Sequence, residues 1–241
     1  MNLYILTGTT KGLGAALRDR LHADAGNLVI CLSRGAPQSA APVNIQFDAG
    51  DSAAIAPAFA HVLPLIAGRK FDRAVLINNA GVVAPVGRFD AIEAMETANN
   101  IAVNLTAPMI LTGLFANATR ALAARRLVVN ISSGAAKRAI AGWSAYCAAK
   151  AGLEMATRVA AHEAEEGLAI CSLAPGVIDT PMQAQVRSAS DSQFPDVERF
   201  RTMKADGTLR PADDVARDII RLIDAGKLTN GGNFDIREMT A

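Results

Sequence analysis

The sequence predicts an α/β fold: one domain over residues 1–241 with a doubly wound parallel sheet of about seven strands. Short, continuously apolar runs rich in β-branched residues alternate with alanine-rich helical patterns, as expected for strands that are buried on both faces. A glycine-rich turn directly follows the first apolar run. The chain has no change of composition that would mark a second domain.

Each predicted element follows from this alternation. The strands are predicted at 2–7, 27–33, 43–47, 73–78, 126–132, 168–174 and 233–236. The helical patterns lie at 12–24, 51–66, 89–124 (interrupted), 144–166 and 211–225. Only a loop joins the second strand to the third, so one crossover helix is expected to be missing or rudimentary. Ligands of such sheets bind beyond the carboxyl ends of the strands, where functional residues are therefore expected.

The composition argues against several classes of protein. Basic (24) and acidic (23) residues are scattered along the chain, which gives no basic surface for nucleic acid. The three cysteines, Cys31, Cys147 and Cys171, lack zinc-site spacing and fit a reducing compartment, and no metal is expected. The N-terminus has no secretion signal, and the apolar window 53–68 is too short to cross a membrane. We expect a cytoplasmic protein without a membrane or nucleic-acid partner.

The turn after the first strand predicts a phosphate-binding site. Gly8, Gly12 and Gly14 have the spacing G-x-x-x-G-x-G immediately before a helix. Glycines allow a tight turn and close approach of the backbone, and the helix N-terminus attracts an anion. A tight turn between strand and helix would need the same residues. The position of the glycine motif directly after the first strand favours a dinucleotide site over a plain turn.

Polar or small residues also follow later strands. Most of them lie where the carboxyl ends of a parallel sheet meet, so they are expected to surround one crevice. The set comprises Asn78, Asn79, Ala80 and Gly81 after the fourth strand, Ser132 and Ser133 after the fifth, Pro175, Gly176 and Thr180 after the sixth, and Asn104 within the long helical pattern.

Tyr146 and Lys150 form an ionisable pair in "SAYCAAK". Residues four apart share one helix face, with Cβ atoms about 6 Å apart. Such pairs also occur by chance on exposed helices. Ser133 precedes Tyr146 by thirteen residues, which is enough to leave a strand, cross a loop and enter the next helix.

With these motifs in order, the chain resembles the short-chain dehydrogenase/reductase family over essentially its full length. The shared motifs are TGxxxGxG (7–14), NNAG (78–81), Asn104, Ser133, YxxxK (146–150) and PGxxxT (175–180). The resemblance implies a Rossmann-type sheet and an oxidoreductase. Within the family, "GWSAYCAAK" and "NGGNFD" are most similar to sepiapterin reductases and to the benzil reductases that form (S)-benzoin.

The resemblance also implies catalytic roles. Tyr146 would be the general acid/base, Ser133 would hold the substrate carbonyl, and Asn104 would order a water that links Lys150 to solvent. Lys150 would bind the cofactor ribose and lower the pKa of Tyr146 by about three units, which an ammonium ~4 Å away can supply. The cofactor is expected against Gly8, Thr10, Lys11, Gly12, Leu13, Gly14, Arg34, Asp48, Asn79, Ala80, Gly81, Tyr146, Lys150, Pro175, Gly176, Val177 and Thr180.

The cofactor is predicted to be NADPH. Arg34 stands twenty residues beyond Gly14, where an acidic residue would bind the ribose 2′-hydroxyl of NADH. Arg34 and Lys11 would both meet a 2′-phosphate, although each is also compatible with an ordinary surface charge. Asp48 is placed near the adenine by the resemblance, and helix capping explains it as well.

The substrate is predicted to be an uncharged ketone or diketone with an aromatic or pterin-like body. A lid at about 182–208, Trp143 and Asp235 are candidate substrate contacts, next to apolar residues such as Val83 and Met182. Packing under the lid would also explain Trp143. Asp235 lies where sepiapterin reductases carry a pterin-anchoring acid, and a plain strand residue without such a role is the alternative.

Two other functions stay open. A 3-oxoacyl-thioester reductase would need a basic patch for an acidic carrier, for which Arg187, Arg199, Arg201 and Lys204 are candidates. A cofactor-sensing regulatory protein would not need the complete set of catalytic residues. The resemblance also implies a homodimer or homotetramer, and the alanine-rich helical patterns at 89–124 and 144–166 offer small-residue faces for packing.

Overall fold

A parallel sheet of seven strands lies at the centre of the computed structural model, which describes residues 1–35 and 42–239. All neighbouring strands of this sheet run parallel, which confirms the predicted fold class. In order across the sheet, the strands are β3 (Val43–Gln46), β2 (Asn27–Ser33), β1 (Asn2–Thr7), β4 (Arg73–Asn78), β5 (Arg126–Ile131), β6 (Leu168–Ala174) and β9 (Asn233–Asp235).

Helices follow most of the strands. They are α1 (Gly12–His22), α2 (Ile55–Ala60), α3 (Leu63–Ile66), α4 (Ala94–Ile101), α5 (Ala107–Thr119), α6 (Ser144–Glu163), α7 (Pro181–Arg187), α8 (Val197–Ala205), α9 (Ala212–Asp224) and α10 (Ile236–Met239). A π-helical turn, Ala102–Thr106, joins α4 to α5. The predicted helix at 51–66 is two short helices, with Pro64 in the first turn of the second. Most of the predicted loop between β2 and β3 lies outside the described residues.

The sheet is buried on both faces because side chains alternate along each strand. In β1, Leu3 and Ile5 face a core that includes Phe115 of α5, whereas Tyr4 and Leu6 face a second core that includes Leu17 of α1. Helix α9 packs beside α1 on this second face. The two layers of helices cover both faces of the sheet.

One helical stretch, Ala94–Thr119, is long and apolar enough to cross a membrane by length and composition. It consists of α4, the π turn and α5, and it packs on β4, β5 and α6. Core helices of globular folds pass the same test. The sequence analysis overlooked this stretch in favour of 53–68, and the absence of a membrane partner stays a prediction.

Strand β1 lies between β2 and β4, so the chain runs outward in opposite directions on its two sides. The crossover helices therefore diverge at this point and leave a crevice beyond the carboxyl ends of β1 and β4. The glycine-rich turn follows β1, and the NNAG segment ends β4 and continues beyond it. The topology thus brings these two motifs together.

Candidate active site

The turn between β1 and α1 requires glycine at two places. Gly8 has a φ of +70°, and a Cβ there would lie 2.8 Å from the Cα of Ala80. A Cβ on Gly14 would lie 2.1 Å from the carbonyl oxygen of Gly8. Helix α1 begins at Gly12 with no acidic residue in its first turn. Its free N–H groups and positive end suit the pyrophosphate of a dinucleotide.

Hydrogen bonds lock this turn to the segment after β4. The hydroxyl of Thr7 accepts from the backbone N–H groups of Asn79 and Ala80, both at 2.9 Å. The side-chain amide of Asn79 donates to the carbonyl oxygens of Thr7 (3.0 Å) and Gly8 (3.1 Å). Asn79 therefore connects the end of β1 to the segment after β4 and fixes the two sides of the crevice relative to each other.

A cavity of about 330 Å³ lies beyond this edge of the sheet. It begins near the glycine turn and reaches the residues that follow β5 and β6. All of the predicted cofactor residues line it: Gly8, Thr10, Lys11, Gly12, Leu13, Gly14, Arg34, Asp48, Asn79, Ala80, Gly81, Tyr146, Lys150, Pro175, Gly176, Val177 and Thr180. Its shape and its glycine floor fit a dinucleotide.

Ser133, Tyr146 and Lys150 lie together in this cavity. Ser133 follows β5, and its hydroxyl caps a short 3₁₀ helix, Gly134–Ala136, by accepting from the N–H of Ala135 at 3.2 Å. The Nζ atom of Lys150 donates to the carbonyl oxygen of Ile131 at 2.8 Å. It lies 5.8 Å from the ring centroid of Tyr146. Helix α6 thus presents a phenol and an ammonium on consecutive turns toward the end of β5.

The pKa of Tyr146 is raised, not lowered as the sequence analysis expects. Burial of the phenol raises it, and the hydrogen bond with the Ser133 hydroxyl opposes that effect. Burial also lowers the pKa of Lys150 to about 8, while the nearby Glu154 favours the charged form. Near neutral pH, the phenol therefore keeps its proton and most of the lysine is an ammonium. This pair can donate a proton from Tyr146 and stabilise the phenolate that remains.

A buried acid, Glu154, lies one helical turn beyond Lys150 on α6 and was not predicted from the sequence. Its carboxyl group accepts a hydrogen bond from the Ser132 hydroxyl at 2.7 Å and another from the side-chain amide of Asn233 in β9. The spacing of Tyr146, Lys150 and Glu154 by one helical turn each could have indicated it. Glu154 ties α6 to the strand end that carries Ser133.

Two predicted site residues do not line the cavity. Asn104 lies in the π turn, fully buried, where its side chain bonds both the N–H (3.2 Å) and the carbonyl oxygen (2.8 Å) of Val82. It also donates to Asn100. Asp235 forms an ion pair with Arg237, and it is Arg237 that reaches the cavity. This pairing lowers the pKa of Asp235.

The lid segment 182–208 folds over the catalytic end. Two short strands, β7 (Ile178–Asp179) and β8 (Arg210–Pro211), pair with each other and hold its two ends together. Trp143 stacks on Phe194 of the lid with ring centroids 4.8 Å apart, and it also contacts Phe200. Trp143 lines the cavity as well, so packing and substrate contact are compatible. Packing under the lid was one of the two alternatives predicted for Trp143, and its contacts with Phe194 and Phe200 bear that alternative out.

The fold and the cavity define a dinucleotide-binding oxidoreductase. The sequence profile described as short chain dehydrogenase matches residues 2–191, and the chain belongs to this family. The chain is 38% identical to the benzil reductase ((S)-benzoin forming) of Bacillus subtilis, over 99% of each chain. It is 32% identical to the sepiapterin reductase of Meriones unguiculatus, over 96% of this chain and 94% of that one.

A solved structure has the same fold. The short chain dehydrogenase/reductase from Saccharomyces cerevisiae superposes with a TM-score of 0.80 at 21% identity, and the match covers 98% of this chain and 96% of that one. The predicted family is thus confirmed, as is the resemblance to benzil and sepiapterin reductases. Members of this family carry out oxidation and reduction between alcohols and carbonyl compounds with a nicotinamide cofactor.

Proposed function

We propose that the protein reduces a ketone or diketone with an aromatic or pterin-like body to an alcohol, with NADPH as cofactor and Tyr146 as general acid. The observation that carries this proposal is the convergence of Ser133, Tyr146 and Lys150 on the cavity whose other end holds the glycine turn and Arg34. The related proteins are named benzil reductase and sepiapterin reductase, which supports reduction of a carbonyl group over oxidation of an alcohol. Turnover of NADPH with a panel of ketones tests it.

Bound NADPH supplies the hydride for such a reduction. The residues of the chain do the rest: the Ser133 hydroxyl donates a hydrogen bond to the substrate carbonyl oxygen, which becomes more negative as the reaction proceeds. Tyr146 delivers a proton to the same oxygen. Its raised pKa keeps that proton in place at neutral pH, which is the form that a reductase needs.

Lys150 stabilises the phenolate that forms when Tyr146 gives up its proton. The Nζ atom lies 5.8 Å from the centroid of the Tyr146 ring, and charges separated by about this distance attract each other by about 3 kcal/mol at an effective dielectric of ~20. Because Lys150 is buried, solvent screens this attraction little. The bond from Nζ to the carbonyl oxygen of Ile131 holds the ammonium beneath the cavity.

Two cations support NADPH over NADH. Arg34 is exposed at the end of β2, and Lys11 precedes α1; both line the cavity. Asp48 is the one carboxylate among the cavity residues that the structure describes, and it follows β3, not β2. The guanidinium of Arg34 and the ammonium of Lys11 favour the binding of a ribose 2′-phosphate over that of a free 2′-hydroxyl.

We expect Arg34→Asp to reverse the cofactor preference. The new carboxylate repels a 2′-phosphate and accepts a hydrogen bond from a 2′-hydroxyl. The ratio of kcat/KM with NADPH to kcat/KM with NADH should fall at least about a hundredfold, since one charged hydrogen bond is lost and a repulsion is added. Steady-state kinetics with both cofactors measures the ratio.

Arg69→Asp is the matched control, because Arg69 is exposed and does not line the cavity. It makes the same change of charge and should leave the ratio within about twofold of wild type. A wild-type enzyme that already uses NADH as well as NADPH would refute the cofactor assignment.

The alternative of a carrier-bound thioester substrate loses support from ion pairing on the lid. Lys204 pairs with Asp179, and Arg201 pairs with Asp191 and Glu198. These partners neutralise Arg201 and Lys204, two of the four basic residues that an acidic carrier protein would need. A small-molecule substrate is therefore the better proposal. The alternative of a cofactor-sensing regulatory protein is tested by the same ketone panel, because such a protein would oxidise no NADPH.

We also propose a homo-oligomer that forms through α5 and α6. Met109 and Gly113 of α5 and Ala151, Met155 and Val159 of α6 are exposed at intervals of one helical turn. This surface, the α5–α6 face, combines apolar side chains with small residues, so two copies could pack helix to helix at close range.

We expect Met155→Arg to yield monomers by sedimentation velocity at micromolar concentration, because the charge would be buried between two copies. Leu63→Arg, on α3, is the control: Leu63 is also exposed but lies outside the α5–α6 face. Monomeric wild-type protein would contradict the proposal.

A further inference from the structure

Two arginines at the catalytic end of the cavity have no acidic partner among the residues that the structure describes. Arg138 follows the 3₁₀ helix after Ser133, and its Nη2 atom lies 3.7 Å from the place of a Cβ on Gly134. Arg199 lies on α8 of the lid, beside the ring of Phe200. Both line the cavity, and within 1–35 and 42–239 neither guanidinium has a hydrogen bond or ion pair. Both side chains are exposed, and their positive charge lies at the border of the substrate space.

Several acidic groups around this end already have basic partners. Asp191 and Glu198 pair with Arg201, Asp179 with Lys204, and Asp235 with Arg237. Asp48 lies on the segment after β3, at the end of the cavity that holds Arg34. A cleft with an excess of one charge attracts ligands of the opposite charge. The catalytic end therefore has a local preference for an anion.

Apolar residues form the rest of this end. Trp143, Phe200, Ile140 and Val186 line the cavity together with the two arginines. A flat apolar body would pack on these side chains, while a charged group would turn toward the guanidinium groups. The apolar neighbours alone predict an uncharged substrate, whereas the two arginines add a preference for a negative group.

We propose that the substrate is an aryl or similarly apolar ketone that carries a carboxylate close to its carbonyl, and that Arg138 is the residue that selects it. This inference rests on the proposed reductase function and narrows its substrate class. A guanidinium can bind a carboxylate through two parallel hydrogen bonds, and its place beside Gly134 sets it next to the serine that receives the carbonyl. Arg199 adds a second positive charge from the lid.

Phenylglyoxylate and its methyl ester test the proposal, because they share one aryl ketone and differ in charge. With NADPH and wild-type protein, we expect a higher kcat/KM for the acid, chiefly through a lower KM. Added sodium chloride should raise the KM of the acid and leave that of the ester nearly constant, since salt screens the attraction.

Arg138→Met should lower the ratio of kcat/KM for acid to kcat/KM for ester at least about tenfold, the size of one partly exposed charged hydrogen bond. Arg138→Lys, which keeps the charge but not the paired geometry, should give an intermediate ratio. Lys137→Met is the matched control: the neighbouring side chain is exposed and does not line the cavity. Its ratio should equal that of wild type. Thermal melting establishes that each variant is folded.

The outcomes separate the two proposals. Wild-type enzyme that reduces the ester at least as well as the acid overturns the inference and leaves the reductase function standing. An unchanged ratio in folded Arg138→Met protein overturns it too. If neither compound nor any other ketone is reduced with NADPH, the proposed function itself fails.

Discussion

Tyr146→Phe should lower kcat by about 10²- to 10⁴-fold, the usual contribution of a positioned general acid. The substitution removes the phenolic proton and leaves the ring in place. The ring packs edge-on against Trp143 at 5.5 Å between centroids, and this contact does not need the hydroxyl. NADPH binding and thermal stability should therefore stay close to those of wild type. Single-turnover kinetics separates the loss of chemistry from any change in binding.

The chain provides a matched control in Tyr4, its other tyrosine. The Tyr4 hydroxyl accepts a hydrogen bond from Arg73 at 2.7 Å, in the core and away from the cavity. Tyr4→Phe should lower stability slightly and leave kcat unchanged. A Tyr146→Phe enzyme that reduces its best ketone within a few-fold of wild type would show that another group supplies the proton.

Local patterns were enough to predict the sheet and the cofactor end of the cavity. Continuous apolar runs mark buried strands, and parallel strands place their carboxyl ends at one edge. Gly8, Gly12 and Gly14 could be singled out by their spacing directly after the first apolar run. The structure adds the steric reason, because a Cβ on Gly8 would meet the Cα of Ala80 and a Cβ on Gly14 would meet the carbonyl oxygen of Gly8.

The catalytic end depends on contacts between distant segments, which a pattern does not reveal. The raised pKa of Tyr146 comes from burial that the lid and α6 create together. Glu154 gains its partners Ser132 and Asn233 from two other strands. Asn104 was expected near the cavity, but its amide is engaged by Val82. In each case the decisive partner is remote in sequence.

Lys150→Met should lower kcat by roughly a hundredfold, since an attraction of about 3 kcal/mol for the phenolate is lost. The KM for NADPH should rise as well, because Lys150 lines the cavity where the cofactor is proposed to bind. The buried methionine keeps the packing of α6, so the protein should stay folded. Initial rates at varied NADPH and ketone separate the two effects.

The pH dependence gives the sharper readout. The pKa of Lys150 is lowered to about 8, so the ammonium is present below that pH and is lost as the pH rises through it. Wild-type kcat should therefore fall above about pH 8, whereas Lys150→Met should show no such fall. Lys70→Met is the control, because Lys70 also donates to a backbone carbonyl, that of Ala121, but lies away from the cavity. If Lys150→Met kept the wild-type decline, the decline would belong to another group, and the electrostatic role of Lys150 would have to be abandoned.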